Sequence, residues 1–154
     1  MRTPLRAPAA ALLATAALLA ATPVWGGADS GDDAAGKKLE VVAVPLGKAV
    51  APGAEARAQL VLTFKEDATH HWGAPLKITL SGTAPVAPTK PALTRADAVD
   101  PLADKDATRL EFAVPFKAAA KGSGTLSAAV SLFVCFEKDC VPVDRTVTWT
   151  VKSE

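Results

Sequence analysis

Residues 126–151 read LSAAVSLFVCFEKDCVPVDRTVTWTV, and the alternation in this stretch decides the fold class. Leu126, Ala128, Val130, Leu132 and Val134 alternate with Ser127, Ala129 and Ser131; further on, Val147, Trp149 and Val151 alternate with Thr146, Thr148 and Thr150. Successive side chains of an extended backbone point to opposite faces, so a period of two marks half-buried strands. Cys135 closes the first run, Phe136-Glu137-Lys138-Asp139 follow, and Cys140 and Pro142 come before the final strand. The segment reads as a hairpin with two thiols at its mouth, where facing residues of adjacent antiparallel strands lie close enough to be bridged.

The same period recurs upstream. Ala58, Leu60, Leu62 and Phe64 form one apolar set, Leu76, Ile78 and Leu80 a second, and Leu110, Phe112 and Val114 a third. Turn signals separate them at Pro52-Gly53, residues 73–75, residues 82–88 and residues 121–124. No segment beyond the N-terminal region holds a helical period for three turns. Short strands with such spacing predict an all-β protein, an immunoglobulin-like antiparallel β-sandwich. Residues 84–106 are rich in Pro and Ala and weakly patterned; Leu93, Val99 and Leu102 suggest an irregular loop or short strand that packs in part.

At the N-terminus, Arg2 and Arg6 precede an uncharged apolar stretch from Ala9 to Ala21. That length suits the h-region of a secretory signal and is short for a bilayer span. Small residues allow cleavage after Gly26, after Ala28 or after Ala21; an uncut N-terminal membrane anchor is the competing reading. The expected organisation is a signal peptide at 1–26, a small, polar, Gly-rich disordered leader at 27–37 and one sandwich domain at 38–154. Removing Arg2 and Arg6 from the 17 basic residues leaves 15 against 16 acidic ones, which argues against nucleic acid as a partner. No second apolar run approaches spanning length, so no membrane span is expected in the mature chain. The protein is expected to be periplasmic or secreted.

Cys135 and Cys140 are the two cysteines. In an exported chain an even, closely spaced pair points to a disulfide. Closing so short a loop removes only about 2 kcal/mol of unfolded-state entropy, against about 4.7 for a long one, and a domain of this size can bury a core without it. The short span therefore favours a pair kept for chemistry over a plain staple. Glu137 and Asp139 outweigh Lys138 in the intervening loop, and carboxylates disfavour a thiolate. Such a pair suits the role of a disulfide attacked by a partner's thiolate, which then passes its electrons on.

The order strand, C-x4-C-x-P, strand at the end of a secreted β-sandwich resembles the N-terminal periplasmic domain of the thiol:disulfide interchange protein DsbD. The stretch His70-His71-Trp72-Gly73-Ala74-Pro75-Leu76-Lys77 looks like the family's segment in which His or Trp follows the second strand and Pro precedes the next. The resemblance covers residues 38–151. It implies an immunoglobulin-like fold and a redox-active pair, Cys135 and Cys140, of the kind a thiol:disulfide oxidoreductase uses. It also implies partners, a membrane electron donor and thioredoxin-like periplasmic proteins that receive the electrons. The chain has no Tyr, so any family contact made by a tyrosine near the pair is missing or replaced; Phe133 and Phe136 flank Cys135 as candidate shields or as ordinary core and edge residues. The competing reading is a non-enzymatic immunoglobulin-like binding module with a static structural disulfide.

Other chemistry finds little support. His70 and His71 are the only histidines; as strand neighbours they point to opposite faces and do not easily share one metal. A site of one His and the two Cys suits zinc or copper on paper, but no second cluster accompanies it, and neither metal nor cofactor is expected. The expectation is one His packed beside Trp72 and the other solvated. There is no G-x-S-x-G nucleophile motif, and Gly122-Ser123-Gly124 reads as a turn rather than a phosphate loop, since no helix pattern follows it.

Overall fold

The computed structural model describes residues 33–71, 73–100 and 106–154. In chain order the elements are α1 (Asp33–Lys38), β1 (Leu39–Val44), β2 (Glu55–Phe64), β3 (His70–His71), β4 (Leu76–Gly82), β5 (Val86–Pro88), β6 (Ala92–Thr94), a 3-10 turn at Arg95–Asp97, β7 (Asp106–Ala107), β8 (Arg109–Ala118), β9 (Gly122–Phe136) and β10 (Asp139–Ser153). The strands form two four-stranded antiparallel sheets, β1-β2-β8-β5 and β10-β9-β4-β6, with β3 and β7 as a separate small ladder. This is the immunoglobulin-like β-sandwich that the alternation predicts.

Each predicted apolar set faces inward. Leu60, Leu62 and Phe112 of one sheet meet Ile78, Leu126 and Val130 of the other, all essentially without solvent exposure. Burial of one such side chain contributes about 1.5–3 kcal/mol, so this double layer holds the fold. One flank of the sandwich is closed by Trp149, whose Nε1 donates to the Val44 carbonyl of the opposite sheet at 3.0 Å. Val50 adds a bridge to the last residues of β10, donating to the Lys152 carbonyl at 2.9 Å. Gly124 and Gly82 permit the tightest approach: a Cβ on Gly124 would lie 2.6 Å from the Thr83 carbonyl oxygen, and one on Gly82 2.5 Å from that of Val86.

Three local features differ from the sequence reading. The leader expected to be disordered through Lys37 is helical over Asp33–Lys38. Ala35 is buried in the core and Gly36 lies against the Arg145 guanidinium, contacts that order a segment too short to show a period of its own. The final strand does not begin after Pro142 but runs through it from Asp139. Residues 84–106 contain β5, β6 and the 3-10 turn; Leu93 is buried, Val99 is exposed, and Leu102 lies outside the described residues. The proposed signal, residues 1–26, lies outside them too. Among the described residues no helix is long and apolar enough to cross a membrane.

Candidate redox site at the β9–β10 hairpin

β9 and β10 pair over their full lengths, from Phe136↔Asp139 to Gly122↔Ser153, leaving Glu137 and Lys138 as a two-residue turn. Such turns need a positive φ that their usual Gly or Asn supplies; here Glu137 adopts it, at φ 55°. The register sets Cys140 directly opposite Cys135, and the two form a disulfide with Cα atoms 4.0 Å apart.

The hydrogen-bond pattern explains why this pair can be bridged. Cys135 spends both backbone groups on Thr69 on the other side of β9: Thr69 N–H donates to the Cys135 carbonyl at 2.8 Å, and Cys135 N–H to the Thr69 carbonyl at 2.9 Å. A residue's N–H and C=O point the same way along an antiparallel strand, so Cys135 and Cys140 form a non-hydrogen-bonded pair, the type whose side chains approach more closely. Their side chains stand on the face of the sheet away from the core, since Val134 and Val143 carry the core face. Cys140 is exposed and Cys135 half-buried. Phe133 and Pro142, one non-bonded pair further on, share that outer face, while Phe136 packs toward the core.

Two structures brace this end of the hairpin. The first is ionic. Lys38 Nζ lies 2.8 Å from Glu66 Oε2, 2.5 Å from Asp67 Oδ1, and 5.2 Å from the centre of the Phe136 ring. The hydrogen bonds to Asp67 and Glu66 push the Lys38 amine up to about 12, and the Lys38 bond holds the Asp67 carboxyl below its usual value. The second is His70, which is fully buried, stacks on Phe64 with ring centroids 6.1 Å apart, and has Nδ1 2.9 Å from the Phe133 carbonyl oxygen. A carbonyl only accepts, so Nδ1 carries the hydrogen. Burial pushes the imidazole below its ordinary value, against the bond to Phe133, which raises it.

The sequence-predicted residues thus fall into two groups. Cys135 and Cys140 come together. His70 and His71 diverge, His70 inward and His71 exposed, where its Nδ1 accepts from the Gly73 N–H at 3.2 Å. His70 packs on Phe64; Trp72 lies outside the described residues. Among those residues no group of three or more His, Cys, Asp or Glu is placed to hold a metal ion. Thr69 and Lys38 are the site residues that sequence reasoning missed, for their roles depend on partners distant in the chain.

The fold has solved counterparts. A crystal structure of native alpha-2-macroglobulin from Escherichia coli, spanning domain MG7 to the C-terminus, superposes on 75% of this chain at 17% identity with a TM-score of 0.51. The cryo-EM reconstruction of the native conformation of E. coli alpha-2-macroglobulin matches 74% at 18% identity, with a TM-score of 0.49. This chain covers only 16% and 6% of those chains, and the likeness is one of fold. No protein-family model and no curated protein matches the chain.

Proposed function

We propose that the protein is an exported thiol:disulfide exchange module whose working group is the Cys135–Cys140 disulfide. The observation that carries this reading is the placement of the pair on the solvent face of the sandwich, outside the core, with Cys140 exposed. A partner thiolate can reach the Cys140 sulfur there, and the core below does not need to open. The resemblance to the N-terminal domain of DsbD supports the same role, and with it a periplasmic setting, thioredoxin-like partners and a membrane electron donor.

The exchange balances as follows. A thiolate of a partner dithiol attacks Cys140 Sγ, the Cys135–Cys140 bond breaks, and Cys135 leaves as a thiolate and takes up a proton. The partner's second thiol then attacks the mixed disulfide and releases Cys140. The module gains two electrons and two protons, and the partner becomes a disulfide. Throughout, the β9–β10 ladder keeps the two sulfurs facing each other, so the return reaction needs no search.

The test is the reduction potential of the purified exported protein, equilibrated against glutathione or dithiothreitol buffers. Exchange proteins lie between about −120 and −270 mV, and structural disulfides of secreted proteins below about −300 mV. A value in the first range with the fold intact in both states is expected. A value in the second, or unfolding on reduction, overturns the proposal and leaves a binding module with a static disulfide. N-terminal sequencing of the exported chain checks the signal: a start at Gly27, Asp29 or Thr22 accords with cleavage, and an intact Met1 refutes it.

A further inference from the structure

β3 and β4 approach β9 in different registers: Thr69 faces Cys135, whereas Leu76 faces Leu132. The excursion between them leaves the Phe133 carbonyl without a ladder donor, because the residue just before β4, where the register would continue, is Pro75, which has no N–H. The His70 imidazole fills that gap with its Nδ1–H. The side chain of β3 thereby replaces a missing backbone bond at Phe133, two residues along β9 from Cys135.

His70 Nε2 is buried and has no hydrogen-bond partner among the described residues. With Nδ1 fixed as donor, Nε2 is an unprotonated acceptor, and adding a proton would place an N–H and a charge where nothing accepts them. No carboxylate among the residues whose side chains are described acts on the ring. Phe64 of β2 lies against the ring, Phe133 of β9 presents only its carbonyl, and Ala107 of β7 stands opposite in the ladder. The charged or titratable groups acting on the ring are Arg95, whose Nη1 donates to the His70 carbonyl at 3.3 Å, and His71; both oppose a charge on it. Glu66 and Asp67 are turned to Lys38.

We infer that His70 is a proton-sensitive positioning residue for the disulfide. Neutral, it pins the Thr69–His71 stretch to β9 and holds Cys135 in the ladder; charged, it releases that stretch, and Cys135, no longer held by Thr69, leaves more readily when a thiolate attacks the exposed Cys140. The purpose of this device rests on the exchange reading above, but its mechanics do not.

The sign follows from linkage. The folded, pinned state binds a proton at His70 less readily than the released state does. Release is therefore disfavoured at neutral pH and grows as pH falls below the ordinary imidazole value of 6.5. Over that window the opening constant rises by up to about tenfold per pH unit, until the pinned imidazole itself titrates.

The test is amide hydrogen exchange on the oxidised full chain between pH 7.5 and 4.5, with rates corrected for intrinsic pH dependence. Protection at Thr69 and Cys135 is expected to fall with pH while Leu60 and Phe112 in the other sheet stay protected. Reduction by dithiothreitol, expressed per thiolate, is expected to rise about tenfold from pH 7 to pH 5; each turnover converts the disulfide to a dithiol and dithiothreitol to its cyclic disulfide. His70→Asn keeps a donor at the Nδ1 position but cannot be charged, and should flatten both profiles. Protection at Thr69 and Cys135 that is independent of pH in the wild-type chain overturns the inference, as does its loss in step with Leu60 and Phe112. The wild-type measurement decides even if His70→Asn does not fold. A pH-sensitive pin beneath a disulfide with the potential of a structural bridge would instead leave the pin standing and sink the exchange reading.

Discussion

Pro142 stands opposite Phe133 in a non-hydrogen-bonded pair of the β9–β10 ladder, two positions from the Cys140–Cys135 pair. β10 is the outer strand of its sheet. The N–H that proline lacks would point away from β9, toward the open edge, so the ring costs no ladder bond and blunts an edge where another chain could pair.

Pro142→Thr is therefore expected to change unfolding stability by less than about 1 kcal/mol, since no buried bond is gained or lost. It also adds a free donor to the edge beside the disulfide. Sedimentation at rising concentration should show more self-association than in the wild-type protein. A stability change of about 3 kcal/mol would mean that the pairing at Pro142 is the hydrogen-bonded kind.

The disulfide closes a six-residue loop in a ladder that continues far beyond it. The double variant Cys135→Ala, Cys140→Ala should lose about 2 kcal/mol of unfolding free energy and remain folded, because the core face of the same strands is untouched. Urea denaturation gives the difference. Failure to fold would assign the pair a structural duty that its place on the outer face does not suggest.

How far the sequence reveals these features depends on the distance over which each is determined. The strands are legible because alternation is local: Leu110, Phe112 and Val114 show their burial in their spacing alone. The pairing of Cys135 with Cys140 is legible because the loop between them is short. The place of His70 is not, since it depends on a carbonyl 63 residues away, nor is the Lys38 cluster, which joins groups 28 and 29 residues apart. Pro142 inside a strand reads locally as a break, and only its position on an edge makes it compatible with the ladder. The fold class follows from pattern; the bracing of the site follows from tertiary contacts that no period records.

Gly124 is where β9 passes the β4–β5 connection most closely. A methyl group there would meet the Thr83 carbonyl oxygen at 2.6 Å and Val86 Cγ2 at 2.8 Å. Gly124→Ala should cost about 1–3 kcal/mol, the usual range for forcing a carbon into a packed site. Thermal unfolding checks it; an unchanged midpoint would show that the connection yields freely.

The Lys38 cluster should define a plateau in pH. Asp67 has its carboxyl lowered from 3.8 by Lys38, so its contribution is present above that value and is lost as pH falls through the folded-state titration. Lys38 is raised from 10.5 to about 12, so its contribution is present below 10.5 and is lost as pH rises through about 12. A Lys38→Met variant should be less stable than the parent between these limits, with the gap narrowing toward both extremes. A gap that stays constant from pH 2 to pH 12 would mean that Lys38 acts through its packing over Phe136 rather than through its charge.

Glu137 occupies the first position of the two-residue turn with φ 55°, a left-handed conformation that costs a residue with a Cβ about 1–2 kcal/mol. Glycine removes that cost but brings more chain entropy to lose on folding, about 0.5–1 kcal/mol. Glu137→Gly should thus gain a net of roughly 0.5 kcal/mol, and Glu137→Pro, whose ring fixes φ near −65°, should disrupt the turn. Because the turn belongs to the ladder and not to the sulfur bridge, the glycine gain is expected equally in the oxidised protein and in the Cys135→Ala, Cys140→Ala variant. A gain confined to the oxidised protein would mean that the disulfide imposes the left-handed turn. The two thiols would then not stay opposed once reduced, and the return step of the proposed exchange would lose its basis.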